Sequence, residues 1–195
     1  MKLILASSSA RRAQILHDAG LSFSVVSSAI DETPYPGETP QQLVQRLADA
    51  KADLVAARAI GPSIIIAADT IVVLDGQVLG KPRSTDDARR MLQLFSGRTH
   101  SVVTCVSLVR LPEIERRQFV ETTLVHFAPL SRDEISRYLA TEEPYDKAGA
   151  YAIQGRAGRY IPRIEGCYFN IVGLPLSHTL AVLHELGWSE DEEPL

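Results

Sequence analysis

A mixed α/β fold, a twisted sheet flanked by helices, is the class this sequence predicts, and three observations carry the prediction. Apolar runs of strand length alternate with amphipathic segments of helix length through the first half of the chain. The run Ile64 to Ala68 is continuously apolar, as in strands buried on both faces. Two long strand-like stretches, near 99–110 and 117–127, are joined by a Pro-containing turn, so the later pairing is antiparallel.

The elements follow in order. Lys2 to Ala6 reads as a short strand, Ser7 to Ser9 as a polar loop, and the stretch with Ile15, Leu16 and Ala19 on one face as a helix closed by Gly20. Phe23, Val25 and Val26 suggest a second strand, and Asp31 to Gly37 a loop rich in Pro and acids. Thr39 as N-cap, Pro40 at the first helical position and Gln42 completing a capping box start a helix. Its stripe is Leu43, Leu47, Ala50 and Leu54, and it is expected to end at Gly61-Pro62. The buried strand resumes from Ile71 to Leu74 and stops at an Asp75-Gly76 turn. Ser84 caps a helix with Asp86 and Asp87 in its first turn, Ala88, Met91, Leu92 and Phe95 inside, and Gly97 after its end. After the two long strands, Ser131 with Glu134 caps another helix to about Ala140. Residues 144–175 read as short strands and turns, and Ser177 to Gly187 as a last amphipathic helix. The expected organisation is a single domain over 1–188 followed by an acidic tail, 189–195.

Composition narrows the functions. A chain of 195 residues, 45% hydrophobic and 23% charged, can bury a sizeable core. Of its net charge of −4, all comes from four acids in the tail, so the remainder is neutral. A neutral body lacks the basic footprint of a duplex nucleic-acid binder, though one cleft can still hold a small anion. Cys105 and Cys167 are too far apart in sequence for a metal-ligand pair and too few for a disulfide framework, and both read as small buried hydrophobes. No signal-peptide core and no membrane-length apolar stretch is found. A soluble, cytoplasmic protein is expected, without a membrane partner.

Four places carry residues suited to chemistry. Ser7 to Arg12 puts hydroxyls and two arginines at a strand-to-helix turn. Free N–H groups and arginine forks suit phosphate oxygens there, while an ordinary Ser-capped helix start fits the same residues. Asp69 and Thr70 interrupt the most buried strand, and a carboxylate there costs several kcal/mol unless paired or metal-bound, which favours a functional role over a turn cap. Lys81 sits between Gly80 and Pro82, but the P-loop spacing and hydroxyl are missing, and a lone lysine is commonly surface solvation. In Pro144 to Gly155, Asp146, Lys147 and Gln154 lie among small residues. Gln154 could donate to and accept from a base edge, or the segment is simply a tight turn. The five histidines show no metal-ligand spacing, and no nucleophile elbow is present.

Taken in order, LASSSARRAQIL, AADTIVVLDGQVLGKP, SGRTHSVVT, DKAGAYAIQG and GCYFNIVGLPL resemble the Maf family of nucleoside triphosphate pyrophosphatases over roughly residues 2–187. One departure is visible: the family's first motif usually has Pro before the arginine pair, where this chain has Ala10. The resemblance implies a fold related to the inosine triphosphate pyrophosphatases and hydrolysis of a nucleoside triphosphate to monophosphate and pyrophosphate with a divalent cation, Mg or Mn. It implies Asp69 as catalytic carboxylate and metal-side acid, Glu32 as a second metal-side acid, and Ser7, Arg11, Lys51 and Lys81 as phosphate ligands. Arg12, Thr70 and Gln154 match the positions that track substrate choice, in the combination of the subfamily acting on dTTP and UTP; CTP and modified pyrimidine nucleotides are further candidates. It leaves three alternatives open: a homodimer, a 7-methyl-GTP pyrophosphatase, and a nucleotide-binding regulator of septum formation and cell division with little turnover. A pure binding module gains nothing from an unpaired carboxylate beside phosphates, which favours the enzyme.

Overall fold

The computed structural model describes residues 1–189. The acidic tail expected at 189–195 therefore lies, from residue 190 on, outside the described residues. Seven strands form one mixed sheet: β1 (Lys2–Ala6), β2 (Phe23–Val25), β3 (Ser63–Leu74), β4 (Gln77–Leu79), β5 (Thr99–Leu111), β6 (Glu115–His126) and β7 (Arg163–Glu165). Their order is β2-β1-β3-β5-β6-β7, with β4 paired to β3. The helices are α1 (Ala10–Asp18), α2 (Pro40–Ala56), α3 (Thr85–Phe95), α4 (Arg132–Leu139), α5 (Tyr168–Val172) and α6 (Leu176–Glu185). The expected mixed sheet with flanking helices is what forms.

The chain divides into two compact units, the first of Met1–Thr70, Thr104–Glu121 and the chain from Gly173, the second of Ile71–Val103 and Thr122–Val172. In the first, β1 pairs in parallel with β2 on one side, Leu3 opposite Phe23, and with β3 on the other, Leu5 opposite Ile66 and Ala6 opposite Ala67. The chain thus leaves β1 through α1 to one neighbour and returns through α2 to the other, which makes the carboxyl end of β1 a topological switch point. α2 begins as expected, with Thr39 and Gln42 in a reciprocal capping box and Pro40 in the first turn. It ends at Ala56, earlier than Gly61-Pro62, the chain leaving through a short turn in which Arg58 and Ala59 N–H groups donate to the Val55 carbonyl.

Its inward face also differs from the expected stripe. Val44, Ala48, Lys51, Ala52 and Val55 are buried, whereas Ala50 and Leu54 are only half-buried. Ala52 and Val55 pack with Ala6, Ile65, Ala67 and Val109, so the apolar contacts turn the helix until the lysine next to Ala52 faces inward as well. Apolar periodicity alone cannot anticipate a buried lysine.

In the second unit β3 and β4 form the hairpin around Asp75-Gly76, both residues at positive φ. The core gathers α3 (Ala88, Met91, Leu92, Phe95) with Val102, Val125, Phe127, Ile135, Tyr138, Tyr151 and Ala157. β6 and β7 pair antiparallel, Val125 opposite Ile164. Between 144 and 175 only β7 is a strand. Most of the segment is turns, including 3-10 turns at Ala148–Ala150 and Arg156–Tyr160, and the short helix α5 was not anticipated. α6 opens from Pro175 without a side-chain cap, not from Ser177.

Candidate active site

Alternation along β3 places Ala67 and Asp69 on the face toward α2, and Thr70 on the opposite face, toward α1. Both polar residues follow the last parallel pair, Ala6 with Ala67, and Ser7 follows β1 at the same level. Asp69 is buried at 7% exposure and its Oδ1 accepts from Lys51 Nζ at 2.6 Å. The same ammonium lies 2.7 Å from Glu32 Oε1, whose side chain is mostly exposed on the loop before α2. Burial raises the Asp69 carboxyl above its ordinary range, with Lys51 and Arg12 pulling it back and Glu32 adding to the rise.

On the other face Arg12 is equally committed. Ser9 caps α1, its side chain accepting from the Arg12 N–H, so the helix start is Ser-capped. With no acid in that first turn and Arg12 buried, the guanidinium is held by two hydroxyls and a backbone carbonyl instead. Nε donates to the Gly173 carbonyl at 2.8 Å, Nη2 to Thr70 Oγ1 at 2.9 Å and Nη1 to Ser7 Oγ at 3.3 Å. Burial lowers its proton affinity, and Asp69 acts against that. Thr70 Oγ1 also lies 2.9 Å from Thr104 Oγ1. Gly173, at φ +126°, supplies its carbonyl from a backbone conformation that side chains disfavour.

The structure therefore brings together two constellations within the first unit: Asp69, Lys51 and Glu32, and Arg12, Ser7 and Thr70. Arg11 stands beside them, exposed and without a hydrogen bond or ion pair among the described residues. Lys81 and Gln154 belong to the second unit, both exposed. Lys81 follows β4, in a loop tied by the Gly149 N–H donating to the Gly80 carbonyl at 3.0 Å. Gln154 lies in the turn before Arg156–Tyr160. Sequence reasoning missed Thr104 and the Gly173 carbonyl. Thr104 is a hydroxyl inside an apolar strand, the same signal that marked Asp69, while a backbone acceptor leaves no signature by residue type.

Among the described residues no three His, Cys, Asp or Glu side chains form a metal cluster. Glu32 and Asp69 nevertheless converge on one cationic centre, the Lys51 ammonium, and a magnesium-type ion is commonly held by one or two carboxylates with substrate phosphates completing its shell. The donor set fits such an ion. Of the cysteines, Cys105 is fully buried, its thiol pushed up to about 12, while Cys167 is only half-buried.

Comparison with known proteins places the chain in a family. Residues 2–186 match the family model described as Maf-like protein. A dTTP/UTP pyrophosphatase of Symbiobacterium thermophilum is 49% identical over 189 residues, 96% of this chain and 95% of its own length. One of Carboxydothermus hydrogenoformans is 45% identical over 188 residues, 96% of this chain and all of its own length. Among solved structures, a HAM1 protein from Coxiella burnetii superposes with TM-score 0.50 at 13% identity, covering 95% of this chain and 99% of that one, a likeness of fold alone. A match that begins at β1 and runs into α6, with near-half identity end to end, makes this chain a member of the Maf-like protein family.

Proposed function

We propose that the chain is a nucleoside triphosphate pyrophosphatase that takes dTTP and UTP, the activity its relatives are named for, and releases the monophosphate and pyrophosphate. The observation that carries the mechanism is the buried Asp69 carboxylate held on Lys51 at the switch point of the parallel strands. In-line attack of water on a triphosphate needs a base for the proton and cations for the developing charge, with no protein nucleophile. Asp69, its proton affinity raised by burial, takes the proton from the attacking water. Lys51, Arg11, Lys81 and the Ser7 hydroxyl bind phosphate oxygens, and Arg12 keeps Ser7 and Thr70 in place through its fork. Glu32 and Asp69 would hold a divalent cation, Mg or Mn, which when bound supplies charge neutralisation to the phosphates.

Gln154 presents an amide to the O4 and N3–H edge of uracil or thymine, with Thr70 and Arg12 completing the specificity set. Residues 1–188 act as one catalytic domain. The protein is cytoplasmic, with neither duplex nucleic acid nor membrane as partner, and a homodimer is an assembly left open. Among the described residues no helix is long and apolar enough to cross a membrane. The carboxylate is not unpaired, since Lys51 holds it, so what stands against a regulator without turnover is its burial, which raises its proton affinity as a base requires and binding alone does not. A panel of pyrimidine triphosphates and 7-methyl-GTP with magnesium or manganese, reading pyrophosphate and orthophosphate separately, tests the assignment. Pyrophosphate from dTTP and UTP is expected, and orthophosphate as the primary product, or no turnover, contradicts it.

A further inference from the structure

Gln154 makes no side-chain hydrogen bond of its own among the described residues, so the backbone of its turn sets where its amide is presented. That turn is fixed by a carboxylate eleven positions earlier in the chain. Glu143, half-buried in the loop after α4, accepts through Oε1 from the Tyr138 hydroxyl at 2.8 Å and the Ala157 N–H at 3.3 Å, and through Oε2 from the Arg156 N–H at 2.9 Å. Tyr138 is a core residue at 3% exposure, so the carboxylate is anchored to the rigid interior at one end. At the other it grips the two N–H groups that open the Arg156–Tyr160 turn.

Gly155, next to Gln154, is shaped around this carboxylate. Its φ of −104° is open to any residue, so conformation does not require glycine here. The carboxylate occupies the space instead: a Cβ at Gly155 would overlap the carboxyl carbon and both oxygens of Glu143, so the Glu143 side chain would have to move. The Gly155 N–H donates to the Ala152 carbonyl and the Gly158 N–H to the Gly155 carbonyl, both at 3.1 Å, so one turn encloses Gln154 and the next follows it directly. The geometry points to Glu143 as a positioning residue for base selection: it fixes the turn that presents Gln154, and so sets the preference for dTTP and UTP over CTP. This rests on the assignment of Gln154 to the base edge.

The test measures kcat and KM for dTTP, UTP and CTP, together with Tm, on Gln154→Ala, Glu143→Ala, Gly155→Ala and the Glu143→Ala/Gln154→Ala double variant. Glu143→Ala removes the grip, and Gly155→Ala displaces the same carboxylate while leaving it in the chain, so the second keeps the test open if the first folds poorly. Both are expected to lower the ratio of kcat/KM for dTTP to that for CTP about 5- to 20-fold, mainly through KM, with kcat for dTTP within about threefold of wild type. The double variant should discriminate no worse than Gln154→Ala alone, because the two residues act as one unit. If Gln154→Ala changes the ratio while Glu143→Ala and Gly155→Ala do not, the positioning role is overturned and the assignment of Gln154 stands. Equal losses for all three nucleotides with a lower Tm also overturn it, leaving Glu143 a structural brace. If Gln154→Ala leaves the ratio unchanged, the base-edge assignment fails and the positioning role fails with it.

Discussion

Asp69 in the first unit and His100 in the second are both buried, and burial moves each toward its neutral form, Asp69 upward and His100 down to about 3. Their surroundings then part. Asp69 touches a lysine that a second carboxylate also grips, with a buried arginine acting from nearby. His100 has the Tyr151 hydroxyl at 2.8 Å on Nε2, no hydrogen-bond partner on Nδ1 among the described residues, and the ring of Phe95 at 4.2 Å. In one unit the cost of burying a charge is offset by a network of opposite charges. In the other the charge is given up, and the imidazole serves as an aromatic core residue. A site for a highly charged substrate belongs where charge is kept and compensated, since such groups can change partners when phosphates arrive.

The sharpest way to break this comparison is Asp69→Asn. The amide keeps shape and a hydrogen bond to neighbouring groups while losing the base, so turnover should fall about 100-fold or more while nucleotide affinity stays within about an order of magnitude. Near wild-type turnover would remove Asp69 from the chemistry. Next in size is Gln154→Glu in the second unit. An acceptor-only carboxylate facing the O4 carbonyl costs about 1 to 3 kcal/mol, so kcat/KM for dTTP and UTP should drop about 5- to 150-fold. CTP, with an amino donor at that place, should lose less, and a uniform loss across the three would count against base reading.

The smallest effect concerns the neutral core. His100 stays unprotonated in the folded chain down to about pH 3, whereas the unfolded chain takes a proton near 6.5. Acid therefore favours unfolding. The contribution is complete above about pH 6.5 and declines as pH falls toward 3, by up to about 1.4 kcal/mol per pH unit. His100→Gln can still bond Tyr151 but does not titrate, so denaturant melts at pH 7 and pH 5 should show a shallower loss of stability than wild type. An identical slope would mean that the imidazole is protonated in the core.

How much of this was legible beforehand depended on the kind of signal. The caps at Thr39, Ser84 and Ser131 and the Asp75-Gly76 turn are local hydrogen-bond patterns, and each formed as read, whereas the sequence leaves open which of the three serines caps α1. Asp69 stood out because a carboxylate interrupts an apolar run. Lys51 could not be placed by periodicity, since its burial depends on a partner eighteen residues away, and its role came only from family resemblance. Thr104, the Gly173 carbonyl and Glu143 act through tertiary contacts over long separations, and α5 through a short segment whose packing, not propensity, makes it helical.

The central claim is that water, with Asp69 as base and no covalent intermediate, attacks the α-phosphorus. A single turnover of dTTP in 18O-enriched water, with both products analysed by mass, tests it most directly. One 18O in every thymidine monophosphate and none in the pyrophosphate is the predicted result. Label in the pyrophosphate with unlabelled monophosphate would move the attack to the β-phosphorus, and no label in either product of the first turnover would mean that a carboxylate oxygen of the protein was the nucleophile.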